Sequence, residues 1–228
     1  MRISFLFLLA FPLFAFAALT PQEHPLFDGD AVHDFSLTFN QPNWWQLLED
    51  NFEGQEDPAY LEAEFDWDGF HLDSIGVRLK GNSSYMAYPG DKKSFKLDID
   101  EYVLGQEIDG LDKLNLNNCF LDPSFVREKC AYELADAAGL ASGRTNYVAL
   151  TINGQYWGLY LLVEQVDQEF LDSRFGPGEN GNLWKGEPHG SFEYLGAYDW
   201  NYYNDYELKT NEEVNDWSGL VNFCDQLN

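Results

Sequence analysis

Residues Asn146 to Val166 read NYVALTINGQYWGLYLLVEQV. Two apolar runs flank Asn153-Gly154, and Asn-Gly supplies the two positive-φ residues that a tight type I′ turn needs. The stretch therefore predicts an antiparallel hairpin, and it sets the character of the chain around it. Upstream, DKLNLNN (112–118) alternates polar and apolar residues as a short strand does, and KSFKLDI (93–99) alternates again. AEFDWDGFHLDSIGVRL (63–79) reads as two further strands around Asp68-Gly69, and DFSLTF (34–39) as another. Asp66, Asp68 and Asp73 invite a calcium loop, but Gly69 falls at the wrong place for an EF-hand, so the hairpin is preferred. The helices are fewer: one opened by Pro42 and carrying Trp44, Trp45, Leu47 and Leu48, one over DQEFLDSRFG (167–176), and one over NDWSGLVNFCDQLN (215–228). The result is an α+β chain with a mainly antiparallel sheet and packed helices.

LDPSFVREKCAYELADAAG (121–139) carries the clearest helix boundaries. Asp122 reads as the N-cap, Pro123 as the first helical residue and Gly139 as the stop. Val126, Cys130, Leu134 and Ala137 form the expected buried stripe. On the final helix, Trp217, Leu220, Val221 and Cys224 form an apolar side that the sequence leaves without a partner, which predicts exposure and aggregation.

The chain has 13 Lys plus Arg against 39 Asp plus Glu, a net charge of -26. Such a protein repels bare nucleic acid and anionic lipid. Its first residues, MRISFLFLLAFPLFAFAALT, combine Arg2, an apolar run and an Ala15-Phe16-Ala17 cleavage pattern. Residues 1–17 are accordingly expected to be a cleaved signal peptide and the product to be secreted, to the medium or the cell surface. No other segment is apolar enough to span a bilayer. Cys119, Cys130 and Cys224 match no zinc spacing. A Cys119–Cys130 bridge is open to an exported chain, although buried free thiols are the simpler reading.

Against that acidity, RLKGNSSYMAYPGDKKSFKLDID (78–100) gathers Arg78, Lys80, Lys92, Lys93 and Lys96 beside glycine and serine. Small residues admit an anion close to the backbone and lysines neutralise it, so this loop is a candidate phosphate site. The competing reading is a solvated strand face. This stretch matches neither GxxxxGK[ST] nor GxGxxG.

KGNSS, KKSFKL, LNLNN, DPSFVREKCAYEL, INGQYWGLYLLVEQVD, GNLWKG and YELKTNE follow one another in an order that resembles the spore-coat protein H (CotH) kinase family, from about Phe27 onward. The resemblance implies a domain over 27–228 with an atypical protein-kinase-like fold, comprising an N-lobe and the start of a C-lobe. It further implies transfer of phosphate from ATP, with Mg2+ or Mn2+, to Ser or Thr of exported or surface proteins. By position, Lys80, Gly81, Asn82 and Ser83 would cover the phosphates, with Arg78 leading into them. Lys93 would be the catalytic strand lysine, with Lys92 its nearest alternative and Lys96 on the opposite face. Arg127 and Glu133 would lie on the neighbouring helix, where Glu128 or Glu133 pairs with the lysine. Glu164 would mark the junction between lobes, unless it forms a buried salt bridge with Arg127. The family's downstream Asp, His-Asn-Tyr and Ile-Pro-Trp-Asp-x-Asp segments, which supply catalytic and metal-binding acids, do not occur in the sequence, so an incomplete domain, inactive by itself, is expected. Two other readings stand beside this one. The first is a surface adhesion or glycan-binding module, drawing on the 17% aromatic content and on Trp67, Trp157, Tyr198, Trp200, Tyr202 and Tyr203. The second is a spore-coat-type structural protein with a vestigial nucleotide site.

Overall fold

The computed structural model describes residues 24–29, 31–55, 57–178, 181–187 and 190–228. The expected signal peptide, 1–17, lies outside them. The described residues form an α+β fold built on a closed seven-stranded barrel. Its strands are β1 (His33–Thr38), β2 (Leu61–Trp67), β3 (Phe70–Lys80), β4 (Ser94–Asp98), β5 (Lys113–Asn117), β6 (Thr145–Ile152) and β7 (Gln155–Glu164). They pair in the order β1-β2-β3-β4-β5-β7-β6, antiparallel throughout except where β1 and β6 run parallel and close the barrel.

Both expected hairpins are present, β2–β3 and β6–β7. Asp68 and Gly69 have φ of 45° and 91°, and Asn153 and Gly154 have 49° and 75°, the left-handed conformations that match the strand twist. Alternation then sorts the side chains. Phe35, Leu37, Phe65, Ile75, Val77, Leu79, Phe95, Leu97, Leu114, Leu116, Leu150, Tyr160 and Leu162 fill the interior. Helix α1 (Trp44–Phe52) inserts Leu48 into this core, and Trp44 stacks on Phe39 with ring centroids 4.9 Å apart.

Because the interior positions of β3, β4 and β5 alternate with polar ones, the outer face of these strands presents a polar sheet. Arg78 lies across from Lys96, Lys80 from Ser94, and Lys96 from Asn115. A short helix, α2 (Ser83–Met86), follows β3 inside what the sequence presents as an irregular loop.

Two expectations are corrected by helix α3 (Arg127–Ala137). It starts at Arg127, four residues after Pro123. Asp122 instead folds the preceding loop, its carboxylate accepting from the backbone N–H groups of Ser124 and Arg127. Its stripe also differs: Val126, Cys130 and Leu134 are exposed, and Glu128, Lys129, Tyr132 and Ala135 form the half-buried face. Tyr132 packs with Phe125 and Tyr147 on Cys119, Leu161 and Val163, so an aromatic contact orients the helix where aliphatic periodicity pointed elsewhere. Cys119 and Cys224 are buried thiols and Cys130 an exposed one; no bridge joins them.

After β7 come α4 (Gln168–Phe175), the two-stranded β8 (Trp184–Gly186) and β9 (Tyr206–Leu208), and α5 (Ser218–Leu227). The predicted exposure of the last helix is wrong. Trp217, Leu220 and Cys224 are buried among Tyr202, Tyr206 and Leu208, with Trp184 and Val221 against them, because the β8–β9 region supplies the partner. No described helix is long and apolar enough to cross a membrane.

Candidate functional site

A polar cleft of about 540 Å³ opens where β3, β4 and β5 end against the start of α3. Each element delivers its residues for a local reason. β3 ends in Lys80 on the outer face, and Gly81, at φ +104°, turns the chain into α2. A Cβ at Gly81 would stand 2.2 Å from the Ser84 Oγ, so both its backbone and its neighbour demand glycine. β4 contributes Ser94, whose hydroxyl accepts the Asn118 N–H at 3.0 Å. β5 contributes Asn117 and Asn118, and α3 contributes Arg127 and Glu128.

The far wall, Cys119 to Asp122, is strained. Cys119, Leu121 and Phe125 adopt φ of 56°, 55° and 63°, conformations that cost on the order of 1 kcal/mol each for residues other than glycine. Asp122 holds the turn: Oδ1 accepts from the Ser124 N–H and hydroxyl and Oδ2 from the Arg127 N–H. These hydrogen bonds hold the Asp122 carboxyl below its usual range, the Ser124 hydroxyl first among them. Arg127 donates to the Leu121 carbonyl at 3.1 Å while its side chain stays largely in solvent.

Lys80 is the half-buried cation of the cleft. Its Nζ donates to Asn115 Oδ1 at 2.8 Å. Burial, then the charge of Lys96, push its ammonium down to about 8, and Glu128 pulls the other way. Glu128 itself accepts from Asn117 Nδ2 at 2.6 Å.

A family model described as CotH kinase protein matches residues 77–228, a span that holds every residue lining the cleft. The chain belongs to the CotH kinase protein family. A search of the curated proteins finds no match.

Of the residues that the CotH resemblance singles out, Lys80, Gly81, Arg127 and Glu128 line the cleft. The others have different surroundings. Lys93 is 9% exposed and donates to the carbonyls of Tyr85 and Tyr88 at 2.7 and 2.6 Å, under the Tyr85 ring. It fastens α2 and the segment that follows it. Lys92 spans from the Asn118 carbonyl to the faces of Phe125 and Tyr160, with its stem against Gly158. Arg78 is bound by Asp57, the Pro58 carbonyl and the Tyr60 ring. Asn82 and Ser83 are exposed, with their carbonyls accepting the first N–H groups of the α2 turn. Glu133 pairs with Lys129 one turn away. Glu164, 2% exposed, is held by Arg144 and by Arg174, whose own side chain is buried; its partner is neither Arg127 nor a lysine.

Ser84, Ser94, Asn115 and Asn117 escaped the motif reading. The signal for the two asparagines was present in LNLNN, where period two sets Asn115 and Asn117 on the face opposite the leucines. Among the described residues, Asp112, Asp167 and Glu169 also bring carboxylates within 4.8 Å of one another, next to the opposite end of β5 from the cleft.

Proposed function

We propose that this CotH-family chain binds ATP in the Lys80 cleft and serves phosphoryl transfer to Ser or Thr hydroxyls of exported or surface proteins. The observation that carries the reading is the Lys80 ammonium, half-buried at the cleft and hydrogen-bonded to a neutral amide, which leaves its charge for an anion. Lys80 would contact phosphate oxygens, the Ser84 and Ser94 hydroxyls would donate to them, and Arg127 would close on them from solvent. Gly81 keeps the entrance open to a close approach. In the transfer, the γ-phosphoryl passes to the acceptor oxygen, ADP leaves and the hydroxyl proton is released; the protein's share is positioning and charge stabilisation.

Mg2+ or Mn2+ would travel with ATP in such chemistry. Among the described residues the cleft has only two acids, Asp122, both of whose oxygens are taken by Ser124 and Arg127, and Glu128, whose Oε1 accepts from Asn117; this is too small a donor set to hold a divalent cation by itself, and no step is drawn through one. The atypical kinase-like lobe arrangement and secretion belong to the same proposal. Secretion predicts a product whose N-terminus, by sequencing, begins at or near Ala18.

Titration with a fluorescent ATP analogue tests the nucleotide reading. The wild-type chain binds it, and Lys80→Ala loses about tenfold or more in affinity, as expected for a charge-assisted contact. Equal affinity in the two proteins would remove Lys80 from the site.

One observation favours a second reading, glycan binding. Tyr198 and Trp200 are 60% and 58% exposed and stacked with centroids 4.3 Å apart, an open aromatic face of the kind that sugars pack on. Trp67 and Tyr202, by contrast, are core. A glycan-array signal lost on Trp200→Ala would support it.

A further inference from the structure

We propose that Asn115 is a positioning residue that sets both the place and the charge of the Lys80 ammonium, offering it a neutral acceptor so that its positive charge remains available to a polyphosphate. The ligand in this statement rests on the nucleotide reading of the cleft; the placement of Lys80 does not.

Asn115 stands on the outer face of β5 and is 6% exposed. The orientation of its amide is dictated by its surroundings. Nδ2 donates to the Gln165 Oε1 at 2.9 Å and lies 3.4 Å from the Val163 carbonyl, so only Oδ1 is left to meet Lys80 Nζ. The reversed amide would press its N–H groups on an ammonium and its oxygen on two other oxygens. An aspartate in the same place would satisfy the lysine equally well as an acceptor but would cancel its charge. The amide satisfies one of three ammonium donors and cancels nothing.

The neighbouring asparagine does the complementary work. Asn117, two residues along the same face, donates Nδ2 to Glu128, the acidic group of the cleft nearest in electrostatic effect to Lys80. One strand thus holds the cation by an amide oxygen and the anion by an amide N–H. The charged groups that act on Lys80 are Lys96 from β4 and Glu128 from α3, and neither forms an ion pair with it among the described residues. Burial comes first among these influences and, with Lys96, pushes the ammonium down to about 8, which makes its protonation sensitive to what Asn115 supplies.

Lys80 can be read directly by pulse acetylation across pH, followed by mass spectrometry, in the full chain and in Asn115→Asp and Asn115→Ala, with exposed Lys209 as internal reference. Inorganic tripolyphosphate binding is measured on the same proteins at pH 7. In Asn115→Asp the Lys80 labelling midpoint should rise by about one pH unit or more, and tripolyphosphate affinity should fall about tenfold. In Asn115→Ala the midpoint should move down, since the ammonium loses its acceptor; this variant also covers the case in which the buried carboxylate prevents folding. A purely structural asparagine would not shift one lysine in opposite directions. An unchanged Lys80 midpoint in the folded variants would overturn the proposal. Midpoints that move as expected while no form binds tripolyphosphate would uphold the placement of Lys80 and remove the nucleotide reading instead.

Discussion

Two charged clusters of this protein are arranged on opposite principles. Around Glu164 the charges are spent on each other: Arg144 reaches Oε1 at 2.6 Å, Arg174 reaches both oxygens, and Arg174 also ties the Ser142 carbonyl. Around Lys80 the charges are kept apart, the lysine on Asn115 and the glutamate on Asn117. A closed cluster of ion pairs fastens the end of β7 to α4 but has nothing left for a ligand. Charges held by neutral amides contribute less to folding and remain usable. The contrast explains why a motif reading that weighs residue type alone places Glu164 and Lys80 in one site, when their partners assign them different work.

The largest effect should come from breaking the closed cluster. Glu164→Ala leaves the buried Arg174 guanidinium without its counter-ion and removes a carboxylate from Arg144, and removing one partner of a buried pair costs about 3–5 kcal/mol. Thermal or urea unfolding should show a chain that is unfolded or far less stable. The pH dependence follows from the same geometry. Burial pushes the Glu164 carboxyl up, but hydrogen bonds from Arg174 and Arg144 outweigh it and hold the pKa below the usual glutamate value. A carboxyl depressed in the folded state stabilises fully above its unfolded pKa, and that contribution is lost as pH falls through the folded one. Wild type should therefore lose stability below about pH 4 in a step that Glu164→Gln lacks. If Glu164→Ala kept wild-type stability, the cluster would not be structural and the comparison would fail.

Lys80→Ala should invert that pattern, with nucleotide affinity reduced about tenfold and little change in unfolding midpoint. Affinity in the wild type should also decline as pH rises through about 8, where the Lys80 ammonium deprotonates. Lys93 sharpens the distinction. Lys93→Met strands the Tyr85 and Tyr88 carbonyls and should cost about 1–3 kcal/mol of stability, while weakening nucleotide binding less than Lys80→Ala does. The reverse order of effects would restore Lys93 as the phosphate-facing lysine.

The reasons for what could be read in advance are local. Asp68-Gly69 and Asn153-Gly154 declare their turns because the required backbone conformation belongs to few residues, and strands of period two sort their own faces. Barrel closure was not legible, since nothing in DFSLTF states that β1 will lie parallel to β6. Helix α3 misled because its aliphatic periodicity, Val126 to Leu134, competes with the single aromatic Tyr132, and the aromatic contact with Tyr147 and Phe125 decides the orientation. The site was half visible. Lys80, Gly81, Arg127 and Glu128 stand in recognisable motifs, whereas the role of Lys93 depends on which way a side chain turns at the end of a strand. Arg144 and Arg174 lie 30 positions apart in the sequence and meet only at Glu164.

A third charged group tests whether spent and unspent charge is the right division. Asp167 caps α4, its Oδ1 accepting the Phe170 N–H at 3.2 Å, but it forms no ion pair among the described residues, and Lys96 acts on it only at a distance. Burial raises its carboxyl to about 7, the Phe170 N–H opposes this, and the nearby carboxylates of Glu169 and Asp112 reinforce it. Here the folded pKa lies above the unfolded value, so the fold favours the protonated acid. Stability is complete below about pH 4 and is lost as pH climbs toward 7. Asp167→Asn keeps an oxygen for the cap and removes the charge. It should leave the melting temperature unchanged at pH 4 and raise it at pH 8 by about 2–4 °C, roughly 1 kcal/mol once solvent access to a partly exposed side chain is allowed for. A variant that is instead less stable at pH 8 would show that the ionised Asp167 carboxylate is used within the fold, and would place it with Glu164 among the charges already spent.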